Sequence, residues 1–279
     1  MKKKLIPVML MTLLLLLAAG CGADNSARIT VSGDGIDGEL SYSMNEMSKW
    51  ENSTYSAVYS YINNWPSKKF AYASGITLES ILRQAGVWDS FSIVTVAAAD
   101  GYSYSFTREQ VMADRFYYPG LLEGSEEAKE LRPFILTTDY AADSEDAADM
   151  EPEELPRLVF GQSYLNEHNS VAFVENVASV TVSNAEPEQL EAPGIFPENA
   201  TVAKGETVKL THDMFGLLKI FYTLDGSEPD VNSAMYNPST YQPKLNAPIS
   251  IEADTVIKAK ASTYGYRDSE TVTFEVKVK

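Results

Sequence analysis

Apolar and polar residues alternate along this chain in two rhythms. At 28–31 the order Arg28, Ile29, Thr30, Val31 has period two and predicts a strand with one buried face, closed by a Gly-rich turn over 32–38. Over 40–50, Leu40, Met44, Met47 and Trp50 recur at helical spacing and predict a short helix. The stretch 55–62 returns to strand character. Thr77 stands as an N-cap before Ile81, Leu82 and Ala85, and Gly86 follows as the stop, so a helix is predicted between them. Strands over 92–98 and 102–106 flank Asp100-Gly101 in the manner of a hairpin, and Thr107 with Glu109 and Gln110 opens another short helix. Further strands are expected at 134–138, 158–160 and 171–182. Between them, 141–154 is acidic and alanine-rich, a solvated loop without the ordered Asp/Asn/Gly spacing of a calcium loop.

Pro187, Pro193 and Pro197 interrupt a stretch with no periodic apolar face, which places a linker at 185–198 between a first domain at 28–184 and a second at 199–279. Beyond it the pattern is all β, with strands predicted at 201–202, 207–210, 219–224, 249–251, 255–261 and 270–277, as in a small sandwich.

The N-terminus follows a different logic. Lys2, Lys3 and Lys4 precede an apolar run over 5–17, then Ala18, Ala19, Gly20 and Cys21, the order of a signal peptide spanning 1–20. That run falls short of the ~20 apolar residues of a membrane-spanning helix. The residues Leu-Ala-Ala-Gly-Cys at 17–21 resemble the bacterial lipobox, which implies lipidation of Cys21, a tether at 21–27, and an extracytoplasmic protein anchored at the cell surface or on the periplasmic side. Cys21 is the single cysteine and His168 and His212 are the two histidines, so an intramolecular disulfide and a Cys/His zinc site are excluded. The formal charge of −17 over 279 residues argues against nucleic acid as a partner. No Gly-x-Ser-x-Gly elbow, phosphate-binding loop or dinucleotide fingerprint is present.

In the second domain, Tyr-Thr-Leu-Asp-Gly-Ser-Glu-Pro at 222–229, then Tyr236, Thr-Val-Ile-Lys-Ala at 255–259, Gly265-Tyr266 and Asp268-Ser269 resemble the immunoglobulin-like module at the C-terminus of chitobiase and β-hexosaminidase. The resemblance implies a β-sandwich without catalytic residues. Asp225 and Glu228 then act as turn formers.

The first domain resembles the molybdopterin-binding domain of the sulfite oxidase family through 75–82 with Ala85-Gly86, through 94–106 with Asp100-Gly101-Tyr102, through Leu-Pro-Arg-Leu-Val-Phe-Gly-Gln at 155–162, and through 173–182. The expected fold class is therefore α+β: a sulfite-oxidase-like mixed α/β domain followed by a small all-β immunoglobulin-like sandwich. Family enzymes bind molybdenum through a cysteine thiolate at a place that here falls on Ser60 or Tyr61, and neither is a thiolate. The lysine of the last family motif is Glu175 here, which would repel a pterin phosphate.

The resemblance leaves Ser60, Tyr61, Asp100, Tyr102 and Arg157 as ligand-binding candidates. Arg157 would grip a carboxylate or phosphate, or else pair with the acidic loop before it. Asp100 would face the ligand rim or simply form its turn. Trp65, Tyr61 and Tyr72 offer aromatic faces to a ring or sugar, or to the core. The functional expectation is a non-catalytic lipoprotein that binds an unidentified small molecule or protein partner, with no cofactor and no catalytic residue. One alternative is a molybdopterin-dependent oxidoreductase with a non-cysteine ligand, and a second is a surface carbohydrate-binding protein.

Overall fold

The computed structural model describes residues 26–127, 130–237, 239, 242, 246 and 248–279. The expected signal peptide, Cys21 and most of the expected tether lie outside the described residues.

The expected mixed α/β architecture of the first domain is overturned. Strand accounts for 41% of the structure and helix for 9%. Among the described residues the α-helices are Met44–Met47, Leu78–Gln84 and Arg108–Met112, of four, seven and five residues. Segments this short cannot cover the face of a sheet, so sheets cover one another. One five-stranded sheet runs in the order Leu40–Ser43, Arg28–Ser32, Val177–Ser183, Ile93–Ala98, Ser103–Thr107. The other is built on Thr54–Ile62, Lys68–Thr77 and Ile135–Ala142, with Glu151–Pro152 and Leu158–Val159 both pairing with the last of these. Ile29, Val31, Val94, Val96, Phe106 and Val180 from the first sheet share one core with Ile76, Leu136 and Leu158 from the second, with Leu78, Ile81 and Leu82 of the middle helix packed in.

Local chemistry sets several of these elements. Thr77 accepts from the Ser80 backbone N–H as predicted, and Gly86 with φ +74° ends that helix. The helix expected over 40–50 forms only at Met44–Met47: Leu40–Ser43 is a strand that pairs antiparallel with Arg28–Ser32, and Ser43 caps the helix in a box with Glu46. The ten-residue strand Lys68–Thr77, unmarked in the hydrophobic pattern, is central to the second sheet, paired on both sides. Its register shifts between Ser74 and Gly75, where a Cβ on residue 75 would sit 2.1 Å from the Leu136 carbonyl oxygen, so only glycine fits.

The second domain is a sandwich. A three-stranded sheet in the order Gly194–Phe196, Thr207–Thr211, Ile249–Ser250 faces a five-stranded one in the order Thr201–Val202, Val272–Val278, Thr255–Ser262, Lys219–Thr223, Ala234–Tyr236. Val208, Leu210, Ile220, Ile257, Ala259 and Val276 fill the space between them. Gly194–Phe196 and the buried Leu190 fall within the expected linker at 185–198, so that linker contributes both a strand and a core residue to the sandwich.

Candidate functional site

The five sequence-derived candidates do not converge on one pocket. Ser60 is fully buried; its hydroxyl donates to Gln162 Oε1 at 2.7 Å and accepts from the Tyr118 N–H at 3.0 Å. Tyr61, next along the strand, points to the opposite face and packs on Phe173 at 5.6 Å. Burial first, and then Tyr140 and Asp143, push its phenol far above the ordinary range. Asp100 accepts from the Tyr102 N–H at 3.0 Å, which is the turn-forming role, and the Tyr102 hydroxyl donates to the Val171 carbonyl at 3.0 Å. Arg157 pairs with Glu153 at 3.2 Å and with Glu175, and its guanidinium lies over the Tyr140 ring. Tyr140 therefore links Tyr61 to Arg157, while Ser60, Asp100 and Tyr102 lie apart from that pair. Trp65 is 55% exposed.

These residues do not fit a molybdenum–pterin group. The Ser60 oxygen already has both a donor and an acceptor partner, Tyr61 holds its proton firmly, and two carboxylates occupy Arg157 where a phosphate would need it.

A cleft does form where the two domains meet. The Thr107 helix supplies one wall. Gln110 completes a capping box with Thr107, and the same side chain crosses the junction: Oε1 accepts from the Gly265 N–H at 2.9 Å, and Nε2 donates to the Thr263 carbonyl at 2.9 Å. Gly265 has φ +80°, and a Cβ there would lie 2.9 Å from the Ser105 Cβ, so the turn after strand Thr255–Ser262 sits directly on strand Ser103–Thr107. Tyr264 of that turn packs its ring against Phe106 at 5.3 Å and Phe160 at 5.8 Å, inside the first domain's aromatic cluster. Its hydroxyl donates to Glu167 Oε1 at 2.8 Å. Glu167 also holds Arg115 at 3.1 Å, both being about 5% exposed, and Arg115 lies over the Phe134 and Phe160 rings.

The cleft has a volume of about 440 Å³, and none of the five candidates above lines it. Its lining includes the buried His168 and the half-buried Lys219. His168 precedes Asn169, whose side chain is tied to the Ile62 N–H and the Phe160 carbonyl, so the backbone there is fixed. The imidazole is 8% exposed and its Nδ1 is buried without a hydrogen-bond partner. Burial, and then the charge of Lys219, lower its pKa to about 3, so the ring is neutral at neutral pH. Lys219 opens strand Lys219–Thr223 and donates to Asn64 Oδ1 and to the Asn237 carbonyl, each at 3.2 Å; burial lowers its pKa to about 8. The exposed Arg267 and half-buried Tyr266 also line the cleft. Ser60 reaches this site only from behind: Gln162, which it holds, donates to the carbonyls of Leu165 and Glu167 and so braces the loop that carries His168. The site is not legible in the sequence because its parts are single residues on segments far apart in the chain; the one local signal is the helix start at Thr107.

Residues 197–273 match the family described as chitobiase/beta-hexosaminidase C-terminal domain. Among solved structures, the sulfane dehydrogenase SoxCD from Paracoccus pantotrophus is similar at a TM-score of 0.36 and 12% identity, over 86% of this chain and 68% of that one. That likeness is too slight to transfer a fold or an activity. No curated protein matches the chain.

Proposed function

We propose that the protein is a non-catalytic binding protein, held outside the cytoplasm by a lipid on Cys21, and that the cleft between its two β domains takes a small molecule. The observation that carries the binding assignment is the buried His168 Nδ1, a polar atom without a partner in a cleft of ligand size. Other features support it. Junctions between domains are frequent ligand sites, and this one is spanned by Gln110 and Tyr264. Glu167 is committed to Arg115 and Tyr264, and an imidazole with a pKa of about 3 is a poor base near pH 7, which argues for binding over acid–base catalysis. The anchor rests on the Lys-rich, apolar, small-residue order ending in Cys21. Among the described residues, no helix is long and apolar enough to cross a membrane.

Two measurements test this reading. Detergent phase partitioning should place the protein in the detergent phase and Cys21→Ala in the aqueous phase; equal partitioning of both would remove the anchor. Mass spectrometry of small molecules released from the protein purified from its own envelope should find one compound in near-stoichiometric amount, and release of none would count against the cleft.

A further inference from the structure

We infer that the molecule taken by the cleft is an uncharged, hydroxyl-bearing ring of the sugar type, stacked on the aromatic lining with one hydroxyl at His168. The inference rests on the reading above that the cleft takes a small molecule, and it specifies the chemistry of that molecule.

Charge selects against an ion. The chain carries 39 acidic and 22 basic residues, yet the cleft lining holds Arg115, Lys219 and Arg267 against Glu109, Glu167 and Asp268, which sum to zero. Arg115 and Glu167 are buried and hold each other, and Tyr264 donates to Glu167. Lys219 is engaged too, by Asn64 Oδ1 and the Asn237 carbonyl among its contacts. Asp268 pairs with Lys260 at 3.0 Å. Glu109 and Arg267, of opposite sign, are exposed, where water screens them. An ionised ligand would give up its hydration and meet no open counter-charge among the buried residues of this lining, whereas a neutral one gives up far less.

The rest of the lining suits a ring with a flat C–H face and hydroxyls at its edge. Tyr164 and Phe221 meet edge to face at 5.9 Å, Tyr266 also lines the cleft, and Val171, Leu217 and Val231 add apolar surface. Rigid aromatic rings lose little entropy on contact and cover the C–H face of such a ligand, while a tyrosine keeps a hydroxyl for its oxygens. Burial pushes the Tyr164 phenol well up, so it retains its proton as a donor.

At His168 the choice narrows to a hydroxyl. The imidazole is neutral, so Nδ1 donates in one tautomer and accepts in the other, and it has no partner. An apolar group would leave it unpaired. A carboxylate only accepts and an ammonium only donates, so each fits one tautomer; a hydroxyl does both and satisfies the nitrogen in either.

The test uses the two histidines as reporters. Full-length protein in micelles of a sugar-free detergent, labelled with nitrogen-15 and carbon-13 in histidine, is titrated with glucose, galactose, mannose, N-acetylglucosamine, sodium acetate or ammonium chloride at constant ionic strength. At least one sugar should move the His168 ring resonances saturably while leaving His212 in place, and neither ion should do so. Tyr266→Leu should weaken that response by about tenfold and Tyr266→Phe should keep most of it, with an unchanged His212 signal showing that the sandwich is intact. If only acetate or ammonium moves His168, the cleft binds but the assignment of a neutral ligand is wrong. If no probe moves it, both the sugar assignment and the cleft reading fall.

Discussion

At the scale of single residues, the junction depends on a buried ion pair whose partners come from one domain and whose third member comes from the other. Removing one partner of a buried pair strands a charge and costs about 3–5 kcal/mol. Glu167→Ala should therefore lower the unfolding free energy by that order in urea titrations, because Arg115 keeps its charge. Tyr264→Phe removes one hydrogen bond to a charged group and should cost about 1.5–3 kcal/mol.

His168 gives a pH-dependent prediction. Its folded pKa of about 3 lies below the ordinary 6.5, so the unfolded chain binds the proton first. The contribution is full above pH 6.5 and is lost as pH falls toward 3. Relative to His168→Asn, wild-type stability should drop by about 2 kcal/mol between pH 7 and pH 5. A constant difference between the two proteins over that range would contradict the burial of a neutral imidazole.

At the scale of elements, Gln110 shows how a local signal comes to serve a distant contact. The sequence marks Thr107 with Glu109 and Gln110 as a helix start, but nothing near it announces that the Gln110 amide holds the backbone of residues 263 and 265. Gln110→Ala should weaken the cap and the junction together, seen as faster amide exchange in both Arg108–Met112 and the turn at 263–266. Protection lost in the helix alone would show that the cross-domain bonds are incidental.

The same contrast separates what the sequence disclosed about the fold from what it concealed. The helix at Leu78–Gln84 and the hairpin around Gly101 carry caps and turn residues that act locally, and both stand where predicted. Strand Lys68–Thr77 has no such mark: Lys68, Lys69, Ala71, Ala73, Ser74 and Gly75 are weak strand formers, and it owes its place to partners on both sides. Leu40 and Met44 share a helical spacing, but pairing with Arg28–Ser32 makes Leu40–Ser43 a strand against that local preference. The resemblance to a metallopterin domain followed short motifs such as the one containing Gly75, whose glycine here permits a close crossing of strands.

At the scale of the whole molecule, the docked turn makes the two domains one unit. Tyr264 sits in the first domain's aromatic cluster, and Gly265 leaves no room for a side chain against Ser105. Gly265→Ala should push the turn away and separate a single calorimetric transition into two, whereas one unchanged transition would mean that the domains are coupled elsewhere. A lipid on Cys21 would present that unit at a membrane surface, with the chain's negative charge keeping it soluble there.

The account's central claim is that the cleft, and not the region of Arg157, is the binding site. It is tested most directly by comparing the small molecule retained by three forms purified from the same envelope: wild type, His168→Asn and Arg157→Gln. Loss of the bound compound from His168→Asn with full retention by Arg157→Gln is the predicted result, and the reverse pattern would contradict it.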